Sequence, residues 1–131
     1  RVILSMVRCP KLILTRMQGK SVGGGVGLIA ASDYCIAASA ASVRLSELSI
    51  GLGPYVIAEA VQRRVGRGAF HALSVDCDWR EASWALNHSL YSKVVPSSEL
   101  DAEVESCTKR FAAYTPLAVE SWKRELWSET E

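Results

Sequence analysis

The chain has 131 residues, of which 49% are hydrophobic and 22% are charged, and its formal net charge at pH 7 is +1. A hydrophobic fraction of this size excludes an intrinsically disordered chain, and the length fits one domain with one core. No basic stripe alternates with aromatic residues, so the composition gives no reason to expect a nucleic-acid partner.

The cysteines and the first apolar run bear on the cellular environment. No CxxC pair and no histidine at zinc-ligand spacing accompanies the scattered cysteines, so we expect reduced thiols and no metal site. Near the start of the chain an apolar run is interrupted, well short of a membrane span, by the basic residues Arg1, Arg8, Lys11 and Arg16. These features predict a soluble intracellular protein outside the membrane, most simply cytoplasmic, and leave an organelle matrix open.

The first third of the chain predicts short elements of alternating type, separated by glycine and proline. In chain order they are a helix tail at residues 1–7 stopped by Pro10, a buried strand at 12–17, a turn at 19–21, a glycine cluster at 22–27, a buried helix at 28–31 and a core strand at 33–38.

The rest of the chain predicts mainly helices, because apolar residues recur at helical spacing. In chain order we expect a short extended segment at residues 43–45, a helix with Ile57, Val61 and Val65 on one face, short helices at 69–75 and 81–89, a strand at 90–95, a long helix capped by Ser97 or Ser98 with Leu100, Val104, Cys107 and Phe111 on one face, and a last helix after Pro116 with a stripe of Val119, Trp122 and Leu126.

The glycine cluster contains three consecutive glycines, Gly23 to Gly25, between a predicted strand and a predicted helix. Such a run is costly in backbone entropy, which indicates a positive φ or a close backbone approach. Amides at the start of a helix can face negative charge, so both phosphate binding and oxyanion stabilisation use this device. The phosphate motifs GxxxxGK[ST] and GxGxxG do not fit. Tight packing of a helix on a strand is the remaining alternative.

The glycine cluster belongs to a longer run, residues 18–37, that resembles the signature of the crotonase (enoyl-CoA hydratase/isomerase) superfamily. The pattern G-x-x-x-GGG-x-x-L-x-x-x-x-D matches from Gly19 to Asp33. Further features follow in the order of the family, at Ser46-Glu47 with residues 50–54, at residues 64–69 and at residues 82–96. The resemblance implies an α/β fold, a partial crotonase-like ββα spiral over residues 1–96, followed over residues 97–131 by the start of the C-terminal helical region that forms trimers.

The resemblance also implies a reaction and a site. In the family, the backbone N–H of the residue matching Gly24 is one of two oxyanion-hole donors that polarise the thioester carbonyl of an acyl-CoA, and the residue matching Glu47 transfers a proton. Nothing in this chain matches the other donor, and Gly27 stands where hydratases carry a first glutamate. Isomerisation by a single carboxylate is therefore favoured over hydration, although some relatives assigned as hydratases share GGGxGL. The resemblance predicts further substrate contacts at Lys20, Val22, Gly23, Gly27, Ser46 and Tyr55.

The implied partners are an acyl-CoA thioester and other copies of the chain, in a homotrimer or hexamer. Coenzyme A enters as part of the substrate, and no metal or redox cofactor is implied. Two alternatives stay open: a truncated, catalytically silent oligomerisation module, and a related acyl-CoA hydrolase or lyase that uses the same hole. Without the resemblance, Glu47 is most simply a surface residue or a cap. For the basic cluster Arg63, Arg64 and Arg67, a solvated helix face is favoured over contacts with CoA phosphates.

Overall fold

The computed structural model describes residues 1–128, in which helices and short parallel strands alternate. The helices are α1 (Val2–Arg8), α2 (Gly24–Ala31), α3 (Ala58–Val65), α4 (Arg67–Asp76), α5 (Ala82–Asn87), α6 (Leu100–Ala112) and α7 (Pro116–Leu126). The strands are β1 (Leu14–Met17), β2 (Lys20–Val22), β3 (Tyr34–Ala38), β4 (Ser42–Arg44) and β5 (Lys93–Val95), and 3₁₀ turns lie at Glu47–Ile50 and Ser97–Glu99.

The strands form two parallel sheets. One has three strands in the order β1-β3-β5, and the other pairs β2 with β4. The consecutive strands β1 and β2 thus enter different sheets, as do β3 and β4, and each pair is followed by a helical segment. This repetition of two strands and a helix confirms the predicted partial ββα spiral.

Strand β3 is the central strand of the three-stranded sheet and is buried on both faces. Cys35 and Ala37 belong to the main core, which includes residues of α2 and α3, while Ile36 and Ala38 pack in a second cluster with α6. Such a strand reads as a continuous apolar run because both of its faces are covered. The apolar face predicted for α6 is confirmed, since its two fully buried residues, Leu100 and Cys107, belong to this second cluster.

The turn predicted at residues 19–21 is wrong. Lys20–Val22 form strand β2, whose residues pair in parallel with Ser42–Arg44 of β4. Lys20 is a poor strand former and follows a glycine, Gly19, but tertiary pairing outweighs such local preferences.

Two predicted helix starts are also wrong. Helix α2 begins at Gly24 within the glycine cluster, rather than after it, because Gly23 makes the sharp turn that ends β2. Ser97 and Ser98 lie in a 3₁₀ turn, and Glu99 is the N-cap of α6 without a side-chain capping hydrogen bond.

Helix α7 leaves much of its apolar stripe exposed, as expected for a stripe larger than so short a helix can bury. Trp122 and Leu126 are 62% and 41% exposed, whereas Lys123 of the same helix is fully buried. The stripe therefore faces mainly outward. The buried residue of α7 is a cation, Lys123.

The buried cation is held by Asp33, the last residue of the matched signature. Lys123 Nζ lies 2.9 Å from Asp33 Oδ2 and donates a hydrogen bond to the Lys11 carbonyl at 2.8 Å. The same carboxylate accepts hydrogen bonds from the Ile13 N–H at 2.8 Å and from Trp127 Nε1 at 3.3 Å. A buried charge is tolerated only when it is paired and hydrogen-bonded, and here both requirements are met.

Within residues 1–128, no helix combines the length and the hydrophobicity needed to cross a membrane. The four cysteines are free thiols, of which Cys35 and Cys107 are buried. Burial raises the pKa of the Cys35 thiol to about 12, which makes it a packing residue of the core.

Replacing Lys123 by Met tests how α7 is anchored. The change leaves the Asp33 carboxylate buried without its counter-charge, so the free energy of unfolding is expected to fall by about 3 kcal/mol. Lys109→Met is the matched control, because Lys109 pairs with Glu105 on the exposed surface of α6, and its loss is expected to stay below about 0.5 kcal/mol. Urea titrations of both variants measure the difference. Equal losses would show that the buried pair does not anchor the helix.

Candidate active site

The turn between β2 and α2 is built by Gly23. Its φ is 57° and its ψ is −115°, a backbone conformation that favours glycine. The Gly23 N–H donates to the Arg44 carbonyl at 3.0 Å, which ties the turn to the end of β4. The Gly23 carbonyl accepts from the N–H groups of Val26 at 2.9 Å and Gly27 at 3.3 Å, and so begins α2. The glycine cluster therefore makes a tight turn with a positive φ, as its composition predicts.

Gly24, the first residue of α2, offers a free amide. The N–H groups of the first helical turn have no acceptor within the helix, and no other described residue accepts a hydrogen bond from this one. Gly24 is exposed, and a Cβ on it would meet nothing within 4 Å. The amide thus stands at the positive end of the helix dipole, with open space beside it.

Glu47 packs directly over the same turn. It begins the 3₁₀ turn that follows β4, and its carboxylate Oε2 lies 3.2 Å from the position that a Cβ on Gly23 would occupy. The other carboxylate oxygen, Oε1, is buried and has no hydrogen-bond partner among the described residues. A buried acceptor without a partner is costly, and such groups are typical of functional sites. Glu47 is therefore a half-buried acid beside the glycine turn, with one carboxylate oxygen fully buried.

Gly27 is buried against Ile57, and this contact bears on the missing first glutamate. A Cβ on Gly27 would collide with the Ile57 side chain, whose own Cβ would lie 2.8 Å away. Ile57 is only 5% exposed and belongs to the main core. An apolar side chain therefore fills the space beside Gly27, and within residues 1–128 the acid seen against the glycine turn is Glu47.

The other predicted substrate contacts are Lys20, Val22, Ser46 and Tyr55, of which Val22 and Ser46 are chain neighbours of Gly23 and Glu47. Lys20 Nζ lies 5.0 Å from the centre of the Trp79 ring. Val22 is 44% exposed, and the half-buried Ser46 is the N-cap of the 3₁₀ turn that Glu47 begins. Tyr55 is 86% exposed, and its ring covers one side of Gly53. The structure thus brings Glu47 and Gly23 into contact beside Gly24, whereas the described contacts of Lys20 and Tyr55 are with other residues.

Sequence reasoning missed two contributors to the site. The first is the Arg44 carbonyl, which fixes the Gly23 turn but is a backbone group that no sequence pattern marks. The second is Ile57, whose burial on a helix face was predicted but whose partner, Gly27, was not.

Exposed apolar residues follow Glu47 along the chain. They are Leu48, Ile50, Leu52, Tyr55 and Val56.

A mainly apolar cavity of about 370 Å³ lies elsewhere, between the residues that precede β1 and the helices α6 and α7. Its lining includes Leu12, Leu14, Phe111 and Tyr114, and it contains neither Glu47 nor the glycine turn. Among residues 1–128, no three His, Cys, Asp or Glu side chains are grouped so that they could hold a metal ion. The acid and the free amide at the turn are therefore the better candidate for a reactive site.

Comparison with solved structures identifies the fold. The chain superposes on an enoyl-CoA hydratase from Mycobacterium smegmatis with a TM-score of 0.93 and 28% sequence identity, over 99% of this chain and 51% of that one. The class that the fold defines is the crotonase superfamily, and about half of the fold is present.

Sequence comparison gives the family. The family model for enoyl-CoA hydratase/isomerase matches residues 2–131, and the chain belongs to this family. It is 30% identical to the human mitochondrial Delta(3,5)-Delta(2,4)-dienoyl-CoA isomerase over 120 residues, which are 88% of this chain and 36% of that protein. It is 32% identical to a crotonyl-CoA hydratase of Syntrophomonas wolfei over 110 residues, 83% of this chain and 42% of that protein. The chain thus spans less than half the length of these two curated relatives.

Substituting single glycines tests the geometry of the turn. In Gly23→Ala the new methyl group meets Glu47 Oε2 and the residue must keep a positive φ, so we expect a loss of about 1–2 kcal/mol in the free energy of unfolding. Gly24→Ala is the matched control, since it adds a methyl group into open space at a helical position and is expected to be neutral or slightly stabilising. Urea unfolding of both variants checks this, and equal stabilities would contradict the assigned backbone geometry.

Proposed function

We propose that the chain carries an acyl-CoA site of the hydratase/isomerase type, in which Gly24 polarises the thioester carbonyl and Glu47 moves a proton. The observation that carries the proposal is the pairing of a free amide at a helix start with a buried, unpartnered carboxylate oxygen on the adjacent turn. An acceptor without a donor is suited to take a proton from a substrate that enters the site.

The proposed chemistry follows from these two groups. A hydrogen bond from the Gly24 N–H to the thioester oxygen stabilises the negative charge that develops there when a proton leaves the neighbouring carbon. One donor of this kind contributes roughly 3 kcal/mol in a site that excludes water. The carbon–hydrogen bond breaks, the Glu47 carboxylate takes the proton, and an enolate forms. Return of the proton to a different carbon of the conjugated system completes an isomerisation.

The contact between Ile57 and Gly27 favours isomerisation over hydration. Addition of water requires a group that activates the water as well as one that protonates the carbon, and Ile57 fills the space beside the position that would supply the second acid. The names of the relatives include both an isomerase and a hydratase. The contact between Ile57 and Gly27 supports the isomerase form of the proposal.

The proposed reaction requires neither a metal nor a redox cofactor, because both steps are proton transfers. We propose a homotrimer or a hexamer as the assembled form. The exposed side chains of Leu117, Trp122 and Leu126 on α7 support association, since large apolar residues gain free energy when a partner covers them.

A second candidate is a catalytically silent module that keeps only the association surface. It is favoured by the apolar contact at Gly27, where Ile57 fills the space beside the position of the first acid. This candidate predicts an oligomer that does not bind acyl-CoA. A hydrolase or lyase acting on an acyl-CoA would use the same polarised carbonyl and is distinguished by its products.

Glu47→Gln is the direct test of the acid. The amide keeps the size of the side chain but cannot accept the proton, so turnover of both 2-enoyl-CoA and 3-enoyl-CoA is expected to fall by at least about a hundredfold. Glu59→Gln is the matched control, because Glu59 is exposed in the first turn of α3, and turnover should be unchanged. Product analysis with each substrate measures both variants. Unchanged turnover in Glu47→Gln would contradict the role of Glu47 in proton transfer. A wild type that forms an oligomer but does not bind acyl-CoA would favour the silent module.

A further inference from the structure

Arg64 of helix α3 binds the C-terminal end of α2, which is the end opposite Gly24. Its Nε donates to the Ala30 carbonyl at 3.1 Å, and its Nη2 donates to the Ser32 carbonyl. Both carbonyls lie at the C-terminal end of α2, where the last helical carbonyls have no partner within the helix. The fork of the guanidinium group thus holds two of these carbonyls at once.

Arg64 is partly shielded from solvent and hydrogen-bonded to backbone carbonyls. The prediction that it lies on a solvated helix face is therefore wrong for this residue. The side chain is half-buried, and burial is the main reason why the pKa of its guanidinium group lies below the usual value. The neighbouring Arg63 lowers this pKa further, while Asp33 and Cys35 act in the opposite direction. A cation is kept in such a place only when hydrogen bonds and opposite charge compensate its loss of water.

Helix α2 has no ionic residue of its own at either end. Its first turn contains no acidic residue, its last turn contains no basic residue, and its N-cap, Gly23, has no side chain. A cation at the C-terminal end of a helix complements the macrodipole. Arg64 therefore supplies from another helix the charge that α2 lacks.

The helix is short, which couples its two ends. It has eight residues, so at about 1.5 Å per residue Gly24 lies roughly 9–12 Å from the residues whose carbonyls Arg64 binds. Buried residues of α2 pack against α3, the helix that carries Arg64. A shift of the C-terminal end of this rigid unit therefore changes the direction of the Gly24 N–H.

We propose that Arg64 is a positioning residue for the oxyanion donor, which it aims by fixing α2 from its far end. The proposal rests on the proposed function, because it assumes that the Gly24 N–H binds a thioester oxygen. Arg64 acts at a distance, because its hydrogen bonds go to the Ala30 and Ser32 carbonyls and not to Gly24 or Glu47.

The test uses three variants and a carbonyl signal. Isotope-edited infrared spectra of a bound acyl-CoA, labelled with ¹³C at the thioester carbonyl, report how strongly the carbonyl is polarised. Arg64→Gln removes the cation, whereas Arg64→Lys keeps the charge and loses the planar pair of donors. Arg63→Gln is the matched control, because Arg63 lies on the same helix and donates to the Leu126 carbonyl at the end of α7 instead of α2.

The expected results distinguish a change in the direction of the Gly24 N–H from a general loss of stability. The wild type should lower the carbonyl stretching frequency of the bound thioester, Arg64→Gln should lose most of that shift, and Arg64→Lys should retain part of it. Turnover in Arg64→Gln should fall by about tenfold to a hundredfold while KM changes little, because a misplaced donor weakens the transition state more than binding. Arg63→Gln should keep the wild-type shift.

Two outcomes would overturn the proposal, and they differ. A wild type that binds acyl-CoA without a carbonyl shift rejects the proposed function, and this inference with it. A full wild-type shift in folded Arg64→Gln rejects only the role of Arg64. If Arg64→Gln does not fold, Arg64→Lys decides: a reduced shift supports the proposal, and an undiminished shift contradicts it.

Discussion

The hydrogen bond from the Gly23 N–H to the Arg44 carbonyl, 3.0 Å long, joins the start of α2 to the end of β4. It extends the parallel pairing in which Val22 lies opposite Arg44. Because Glu47 follows β4 closely, this register also fixes where its carboxylate packs, against Gly23. A shift of β2 by one residue would turn its side chains to the other face and separate the acid from the turn. The acid and the free amide thus share one constraint.

The C-terminal end of α2 is also held by contacts with other elements, as the Gly23 turn at its start is held by β4. Arg64 binds the carbonyls at its C-terminal end, and Asp33, which follows that end, binds Lys123 of α7. The signature run therefore has a mechanical role at its last residue as well as a proposed chemical role at its glycines. Charges placed inside the molecule hold the helix that presents the amide, and they do so because each is paired or hydrogen-bonded.

Local patterns predicted the glycine turn, the strand β3 and the apolar face of α6, because each is encoded by residues close together in the sequence. The resemblance to the family, carried by this signature and the features that follow it, selected Gly24 and Glu47. The patterns failed where a distant partner decides the outcome. Lys123 and Arg64 are cations on amphipathic helices, which periodicity places in solvent, yet Asp33 and the carbonyls of α2 draw them inward. Strand β2 likewise depends on its pairing with β4.

In the proposed function the free amide of Gly24 and the acid Glu47 act together on an acyl-CoA. Exchange of the C2 protons of butanoyl-CoA with deuterated water, followed by NMR, tests it most directly because exchange needs both groups and does not depend on whether the full reaction is isomerisation or hydration. We predict exchange by the wild-type chain at a rate at least about a hundredfold above that of Glu47→Gln. Bound butanoyl-CoA whose C2 protons do not exchange, or equal exchange rates in the two proteins, would contradict the proposed roles of Gly24 and Glu47.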